Sequence, residues 1–256
     1  IVFPSGTIAG LATDYTVGRL TLRGLALGGS PQELLFLGSS GNVVECNFLG
    51  TDLTGATQVG SPTFDVFVNG WANPTDTTIR GNLIVGGNAE HIRLGGADGN
   101  TVVGNRIGTD LTGTTAFGNV GNAILVTGND NQIGGVAPGE GNIIRAASGA
   151  AIEIGNGPAL VLAGNSVRGN SIAGNNGIGI DLDGGGVTFN HAGTIAGPNA
   201  YQNFPVFSFV TSTNTSTRVV GVLDSAPSRT YAIDVFANTT CDSSWFGEGE
   251  QFLGTL

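Results

Sequence analysis

The feature that most constrains this chain is a short apolar segment that recurs at nearly regular intervals. It begins at residues 34, 65, 91, 123, 151 and 177, so successive copies start 31, 26, 32, 28 and 26 residues apart. The copies are LLFL, DVFV, HIRL, AILV, AIEI and GIGI. A unit of this size cannot bury its apolar side alone and gains a core by stacking on its neighbours. The spacing therefore predicts a repeat fold.

Glycine-asparagine dipeptides separate the apolar segments. There are thirteen, from Gly41-Asn42 to Gly174-Asn175, and both residue types favour turns because they tolerate left-handed backbone. The segments between the turns lack the i, i+3, i+4, i+7 spacing of an amphipathic helix. Parallel strands without helical crossovers leave a coil in which each strand pairs with its equivalent one coil later. The prediction is an all-β fold, a parallel β-helix of about six to seven coils.

Alternation within the repeated segment assigns its side chains to two faces. Two inward rows are expected, and every member of both rows is aliphatic. The first row is Leu35, Val66, Ile92, Ile124, Ile152 and Ile178, and the second is Leu37, Val68, Leu94, Val126, Ile154 and Ile180. Two columns are expected to face outward, namely Phe36, Phe67, Arg93, Leu125, Glu153 and Gly179, and Leu34, Asp65, His91, Ala123, Ala151 and Gly177.

The hexapeptide GTDLTG occurs twice, at 50–55 and 108–113, within the two longest periods. A calcium loop needs several converging oxygen ligands, whereas each copy has a single acid, Asp52 or Asp110. The side chains of Asp and Thr commonly bond to nearby backbone in turns. We therefore expect two structural loops at the same corner of the coil, two coils apart.

Several motifs resemble those of a known family. GNRIGTDLTGTTAFGNVGNAILV, NQIGG, GEGNIIRA and GIGIDLDGGGVTFN, with GPNAYQNFPVF after it, look like the right-handed parallel β-helix repeat proteins of bacterial secreted and cell-surface type. That family has a pectin lyase-like fold, and the resemblance covers about residues 15 to 210. It implies a right-handed β-helix, which we assign to residues 1–202.

The last part of the chain is similar to the β-sandwich module that these proteins often carry next. Its marker is YAIDVFANTTCDSSWFGEGEQFLGTL, residues 231–256. In the family the module continues for several more strands. We therefore expect residues 203–256 to form the start of an incomplete, Ig-like β-sandwich, either cut short or completed by strand addition from a neighbour.

The outward columns are the place to look for chemistry, because β-helix polysaccharide lyases and hydrolases use the outer face of one parallel sheet. The candidate catalytic residues are Asp65, His91, Arg93 and Glu153. Arg93 would neutralise a uronate, and a carboxylate or His91 would act as the base. The alternative is an ordinary solvated face, or an apolar surface covered by a loop or a partner, since phenylalanine and leucine interrupt the same column.

Asp181 and Asp183 in the motif DLDGGG are candidate Ca²⁺ ligands, because two acids at i and i+2 can contribute to a cation loop. The family often has acids in the loop that follows, where this chain has His191, so the resemblance does not supply a full ligand set. No other cofactor is expected, since a transition-metal cluster and nucleotide fingerprints are missing from the sequence. A disulfide between Cys46 and Cys241 is left open.

Charge and composition narrow the partners and the location. The net charge is −10 and all nine basic residues are arginine, so nucleic acid is not an expected partner. No apolar stretch reaches 18 residues, which argues against membrane insertion. The abundance of Gly, Asn and Thr with scarce Cys and no Lys favours a secreted, extracellular or cell-surface location.

The expected function is a non-catalytic structural or adhesive module of a larger surface protein or assembly. One alternative is a carbohydrate-binding or carbohydrate-active β-helix, similar to a polysaccharide lyase or hydrolase. Another is a self-assembling subunit of an extracellular filament or layer. The expected partners are accordingly a polysaccharide, or other copies or subunits of a surface assembly.

Overall fold

Three parallel β-sheets run along the body of the molecule, and each coil of the chain contributes one strand to each sheet. The structure is a computed structural model that describes residues 11–13, 19–69, 73–157, 161–242 and 244–256. In these ranges the regular structure is β-strand except for a short helical turn, Pro198–Tyr201. The predicted parallel β-helix is confirmed.

Sheet A contains seven strands, one for each repeat of the apolar segment and one before the first repeat. They are β1 (Leu11–Thr13), β4 (Glu33–Leu37), β7 (Phe64–Asn69), β10 (Glu90–Gly95), β13 (Ile124–Val126), β16 (Ile152–Ile154) and β19 (Ile180–Leu182).

Sheets B and C contain six shorter strands each, separated by the glycine-asparagine turns. Sheet B consists of β2 (Thr21–Arg23), β5 (Val43–Glu45), β8 (Thr78–Arg80), β11 (Thr101–Val103), β14 (Gln132–Gly134) and β17 (Ser166–Arg168). Sheet C consists of β3 (Ala26–Leu27), β6 (Phe48–Leu49), β9 (Leu83–Ile84), β12 (Arg106–Ile107), β15 (Ile143–Arg145) and β18 (Ser171–Ala173).

The aliphatic rows of sheet A form the core as predicted through the sixth strand. Val66, Ile92, Ile124 and Ile152 pair in register, and all four are fully buried. Because the period-two alternation places these side chains on one face, each coil adds a complete layer to one continuous core.

The predicted register of the last coil is wrong by two residues. Ile152 pairs with Ile180, not Ile178, and Ile154 pairs with Leu182. The reason is that Gly177 lies in the corner before the strand, where a Cβ atom would come within 2.5 Å of the backbone of Gly149. Asp181, rather than Gly179, therefore follows Glu153 in the outward column.

Buried asparagine side chains stack from coil to coil at the corners. At the corner between sheets B and C, each amide nitrogen donates to the side-chain oxygen of the next asparagine, at 2.8–3.0 Å. This stack is Asn47, Asn82, Asn105, Asn142 and Asn170. A second stack, between sheets A and B, joins Asn100, Asn131 and Asn165. The stacks satisfy buried amides and backbone N–H groups that would otherwise destabilise the corners.

Two antiparallel strand pairs follow the coils. The first is β20 (Val206–Ser212) with β21 (Thr217–Val222), and the second is β22 (Asp234–Ala237) with β23 (Gln251–Thr255). They are the segment expected to begin a β-sandwich. The proposed domain division after residue 202 stays a prediction.

The second pair is attached to the end of the β-helix. Asp234 forms an ion pair with Arg168 at 2.5 Å, and the backbone of Ile172 donates to Gly249 at 2.8 Å. The carboxylate of Glu248 accepts from the backbone of Gly174 at 2.7 Å and from the amide side chain of Asn175 at 2.6 Å. The segment after Ala232 therefore covers the last coil.

Candidate functional site

The outer face of sheet A carries one column of chemically varied side chains. In register, Phe36 is followed by Phe67, Arg93, Leu125, Glu153 and Asp181. We call these six residues the outer column. Arg93 and Glu153 lie two coils apart, as the sequence predicted, and Asp181 continues the column where glycine was expected.

Arg93 is held against aromatic rings. Its guanidinium carbon lies 5.3 Å from the ring centre of Phe64 and 5.8 Å from that of Phe67. One guanidinium nitrogen lies 3.9 Å from a carboxylate oxygen of Glu90. A cation held over aromatic faces gains a favourable electrostatic contact, and it remains available for a second anion because its side chain is 31% exposed.

Glu153 and Asp181 form an acidic end of the outer column. Asn122 donates its side-chain amide to Glu153, and the backbone of Gly186 donates to Asp181 at 2.9 Å. Burial raises the pKa of both carboxyl groups, and the repulsion among Glu153, Asp181 and Asp183 adds to it. The other carboxylate oxygen of Asp181 is buried and has no hydrogen-bond partner among the described residues.

The predicted outward position of Asp65 and His91 is wrong. Both side chains are fully buried, and the Nδ1 atom of His91 lies 2.7 Å from a carboxylate oxygen of Asp65. The chain turns a corner at the start of these strands, and two successive residues are buried there instead of alternating with exposed ones. A polysaccharide on the outer face therefore does not reach this pair in the folded protein.

The Asp65–His91 pair lies beneath the GTDLTG loops. The backbone of Gly87 donates to Asp65 at 2.9 Å, while Gly50 and Gly108, which open the two loops, lie over Asp65 and His91 respectively. Burial raises the pKa of Asp65 to about 6, and the contact with His91 opposes that rise. The arrangement joins three successive coils at one corner.

The GTDLTG loops are turns, as predicted. The carboxylate of Asp52 accepts from the hydroxyl of Thr54 at 2.7 Å, and Asp110 accepts from Thr112 at the same distance. The hydrogen bonds from these hydroxyl groups lower the pKa of both acids. The loops follow β6 and β12, which lie two coils apart in sheet C.

The two candidate Ca²⁺ ligands point to different surroundings. Asp181 belongs to the outer column, whereas Asp183 accepts from the phenol of Tyr201 at 2.6 Å and from the backbone of Gly185 at 3.0 Å. Within the described ranges, no group of three or more His, Cys, Asp or Glu side chains is placed to hold a metal ion. Ca²⁺ binding stays a prediction.

Both cysteines are exposed and free, so the structure has no disulfide between Cys46 and Cys241. Cys46 occupies a turn position with a φ of 56°, and Gly81 and Gly104 occupy the equivalent position in the next two coils with φ of 62° and 64°. Cys46 therefore stands at a position where the next two coils have glycine.

Sequence reasoning missed three contributors to these sites, namely Phe64, Asn122 and Tyr201. Phe64 and Asn122 lie just before the repeated segment, outside the four residues used to align the coils. Tyr201 lies in the helical turn after the last coil, where no repeat guides the alignment. A signal existed for the burial of Asp65 and His91, since Leu34, Ala123 and Ala151 in the same column are apolar.

The three in-register parallel sheets place this chain in the class of parallel β-helix proteins. No protein-family model matches the sequence, and a search of curated proteins likewise gives no match. No helix within the described ranges is long and apolar enough to cross a membrane.

Proposed function

We propose that the chain is a non-catalytic structural or adhesive module of a larger extracellular or cell-surface protein or assembly. The observation that carries the proposal is the β20–β21 hairpin, in which every residue is exposed although many are large and apolar. Those apolar residues are Val206, Phe207, Phe209, Val210, Val219, Val220 and Val222, with 37–68% of each exposed.

An exposed hairpin of this composition favours a protein contact. A two-stranded sheet alone is marginally stable in water, and exposed apolar patches on soluble proteins commonly mark interaction surfaces. The free strand edges also favour strand addition. We assign this contact to another subunit of the surface assembly, and copies of this chain are the first candidates.

The β-helix suits the role of a rigid support for the hairpin. Its aliphatic rows are buried from β4 to β16, and its corners are joined by the asparagine stacks. The resemblance to secreted and cell-surface β-helix repeat proteins of pectin lyase-like fold supports the extracellular location.

The test is the mass of the protein in solution at rising concentration. We expect the wild-type chain to associate, and a Phe207→Ser, Phe209→Ser variant to stay monomeric because it loses two exposed aromatic rings. Leu53→Ser is the matched control, since Leu53 is 77% exposed but lies on a GTDLTG loop. A wild-type chain that stays monomeric at every concentration, or a control as strongly affected as the hairpin variant, contradicts the assignment.

Carbohydrate binding is the second candidate, favoured by the position of Arg93 over aromatic rings in the outer column. An arginine flanked by rings can pair with a uronate while the rings contact the sugar face. Acidic and neutral polysaccharides should be assayed for binding and cleavage with the wild type, Arg93→Ala and Glu153→Gln. Arg218→Ala, in the hairpin, is the control. A loss of binding in Arg93→Ala that the control Arg218→Ala does not show supports this candidate. The absence of any binding or cleavage by the wild type eliminates it.

A further inference from the structure

A small cavity opens beside the last coil, between the end of β19 and the helical turn at Pro198–Tyr201. Its volume is about 340 Å³, and its walls include Asp183, Phe189, His191, Ile195 and Tyr201. Phe189 is 71% exposed and Ile195 is 42% exposed. The cavity is separate from the outer face of Arg93 and from the exposed hairpin.

The side-chain donors on the cavity wall are already used within the protein. The phenol of Tyr201 donates to Asp183 at 2.6 Å, and the hydroxyl of Thr188 donates to the carbonyl of Leu182 at 3.3 Å. The Nε2 atom of His191 lies 2.9 Å from the carbonyl of Tyr201. A carbonyl can only accept, so Nε2 carries a hydrogen, and the buried Nδ1 atom has no hydrogen-bond partner among the described residues. These three donors of the wall are therefore engaged within the protein and are not free to bind an anion.

The electrostatic surroundings of the cavity are negative. Asp183 repels the neighbouring carboxylates of Asp181 and Glu153, which adds to the effect of burial on their pKa values. Among the described residues, none of these three acids forms an ion pair with a basic side chain. A cationic ligand would supply the missing counter-charge.

Aromatic rings complete the wall beside Asp183. The ring of Phe189 packs edge-on against Phe246 at 6.0 Å between centres, and Tyr201 is almost entirely buried. A carboxylate combined with aromatic faces is a common environment for organic ammonium groups, because both attract positive charge.

Asp183 and Tyr201, which share a hydrogen bond, both have a strained backbone conformation. Asp183 has a φ of 87° and Tyr201 a φ of 47°, in the left-handed region that residues with a Cβ atom seldom occupy. Two backbone hydrogen bonds hold Asp183 in this conformation. Its N–H donates to the carbonyl of Ile154 at 2.9 Å, and its carbonyl accepts from the N–H of Gly157 at 2.8 Å. The pair is therefore positioned before any ligand arrives.

We propose that this cavity binds a protonated primary amine, with Asp183 as its counter-ion and the exposed ring of Phe189 as its aromatic wall. Two sources offer this chemistry, namely an amino sugar and the side chain of a lysine on a partner protein. The described residues offer no group of three metal-ligating side chains, and both oxygens of Asp183 already accept hydrogen bonds. An ammonium group needs fewer ligands than Ca²⁺, which takes six to eight oxygens.

Matched amines and amides test the proposal in solution. Glucosamine and Nα-acetyl-lysine amide should be titrated into the full chain and followed by the shifts of backbone NMR signals near the cavity. N-acetylglucosamine and the Nε-acetylated lysine derivative are the neutral controls. We expect both amines to bind and both acetylated forms to bind about tenfold more weakly or not at all, because acetylation removes the charge. The tighter of the two amines identifies the source.

Variants locate the site. Asp183→Asn should weaken amine binding about tenfold while keeping the fold, because asparagine tolerates left-handed backbone. Asp76→Asn is the matched control, since Asp76 is exposed and has a φ of 60°. Phe189→Ala removes an exposed ring and should also weaken binding, even if Asp183→Asn proves unstable.

Four results overturn the proposal. They are the absence of amine binding at any concentration, equal binding of the acetylated forms, binding unchanged by both cavity variants, and binding of Ca²⁺ at this site in place of the amines. The self-association test of the hairpin is independent, so either proposal can fail without the other.

Discussion

The β-helix and the β20–β21 hairpin use similar apolar residues with opposite results. Val126 in β13 is fully buried, whereas Val210 in β20 is 54% exposed. Inner strands of the β-helix, such as β13, have a neighbouring strand on each side, whereas each hairpin strand has one neighbour and is exposed on both faces. An apolar strand is therefore stabilised by what stacks on it, and the coil repeat supplies that partner within the chain.

The sharpest test of this comparison places the same charge in both regions. Ile124→Asp should lower the free energy of unfolding by more than about 4 kcal/mol and abolish folding, because it buries an unpaired carboxylate in a fully aliphatic row. Val210→Asp should change it by less than about 0.5 kcal/mol, since the side chain reaches water. Urea denaturation followed by circular dichroism gives the value for Val210→Asp, and the circular dichroism spectrum without urea shows whether Ile124→Asp folds.

Comparable losses in the two variants would mean that the hairpin belongs to the same cooperative core. A stable, soluble Ile124→Asp protein would instead show that the register of the rows is wrong.

The asparagine stacks provide the next largest effect. Asn105→Ala should cost roughly 3 kcal/mol, because it removes hydrogen bonds to Asn82 and Asn142 and leaves buried groups unpaired. Asn214→Ala, at the exposed tip of the hairpin, should be nearly neutral. Urea denaturation of the two variants compares them directly. A neutral Asn105→Ala would mean that water satisfies the corner without the stack.

The buried acid at the loop corner predicts a pH dependence. Because the pKa of Asp65 is raised from 3.8 to about 6 in the folded state, its contribution to stability is complete below the unfolded pKa and is lost as pH rises through the folded one. Asp65→Asn lacks this loss. From about pH 4 to about pH 7, the free energy of unfolding of the variant should therefore rise by on the order of 2 kcal/mol relative to that of the wild type.

Asp110→Asn serves as the control with the opposite sign. Hydrogen bonds from Thr112 and Thr115 lower the pKa of this exposed acid, so its stabilising contribution is present at neutral pH and is lost as pH falls. Unfolding curves at several pH values separate the two variants. Parallel pH profiles for the wild type and Asp65→Asn would show that the pKa of Asp65 is not raised in the folded protein.

The smallest expected effect concerns one turn residue. Cys46→Gly should raise the free energy of unfolding by about 1 kcal/mol, because Cys46 has a φ of 56° at a position where the next two coils have glycine. Cys46→Ser keeps the Cβ atom and should show no gain. Gly104→Ala should be destabilising, since its Cβ atom would lie 2.6 Å from the carbonyl oxygen of Gly139. Thermal unfolding measures all three, and an equal gain in Cys46→Ser would point to the thiol rather than the backbone.

Much of the fold was predictable because the coil repeats its chemistry. The aliphatic rows, the outer column through Glu153 and the position of the GTDLTG loops all follow from spacing and period-two alternation. These features depend only on local geometry that every coil shares.

The errors lie where the chain leaves a straight strand. At Asp65 and His91 a corner leaves two consecutive residues buried, so alternation alone gives the wrong exposure. At Gly177 the corner includes residues that the repeat spacing predicts to be strand. The glycine-asparagine pairs predict turns, but they do not reveal that the asparagine side chains are buried and stacked. That stacking depends on how coils distant in sequence align in three dimensions. The cavity beside Tyr201 depends on a non-repeating segment and has no periodic signal.

The asparagine stacks also have a direction. Within each stack, the side-chain amide of one asparagine donates to the asparagine of the next coil, and the two series end at Asn170 and Asn165. At the following corner of the last coil, after β18, donors again face the end of the β-helix. The carboxylate of Glu248 receives the donors of Gly174 and Asn175, and a carboxylate accepts hydrogen bonds without passing one on. Glu248 therefore ends the coil-to-coil hydrogen bonding at this corner, as a chain-terminating group ends a polymer. The number of coils is limited by the segment that caps them, because a further coil at this end would first have to displace it.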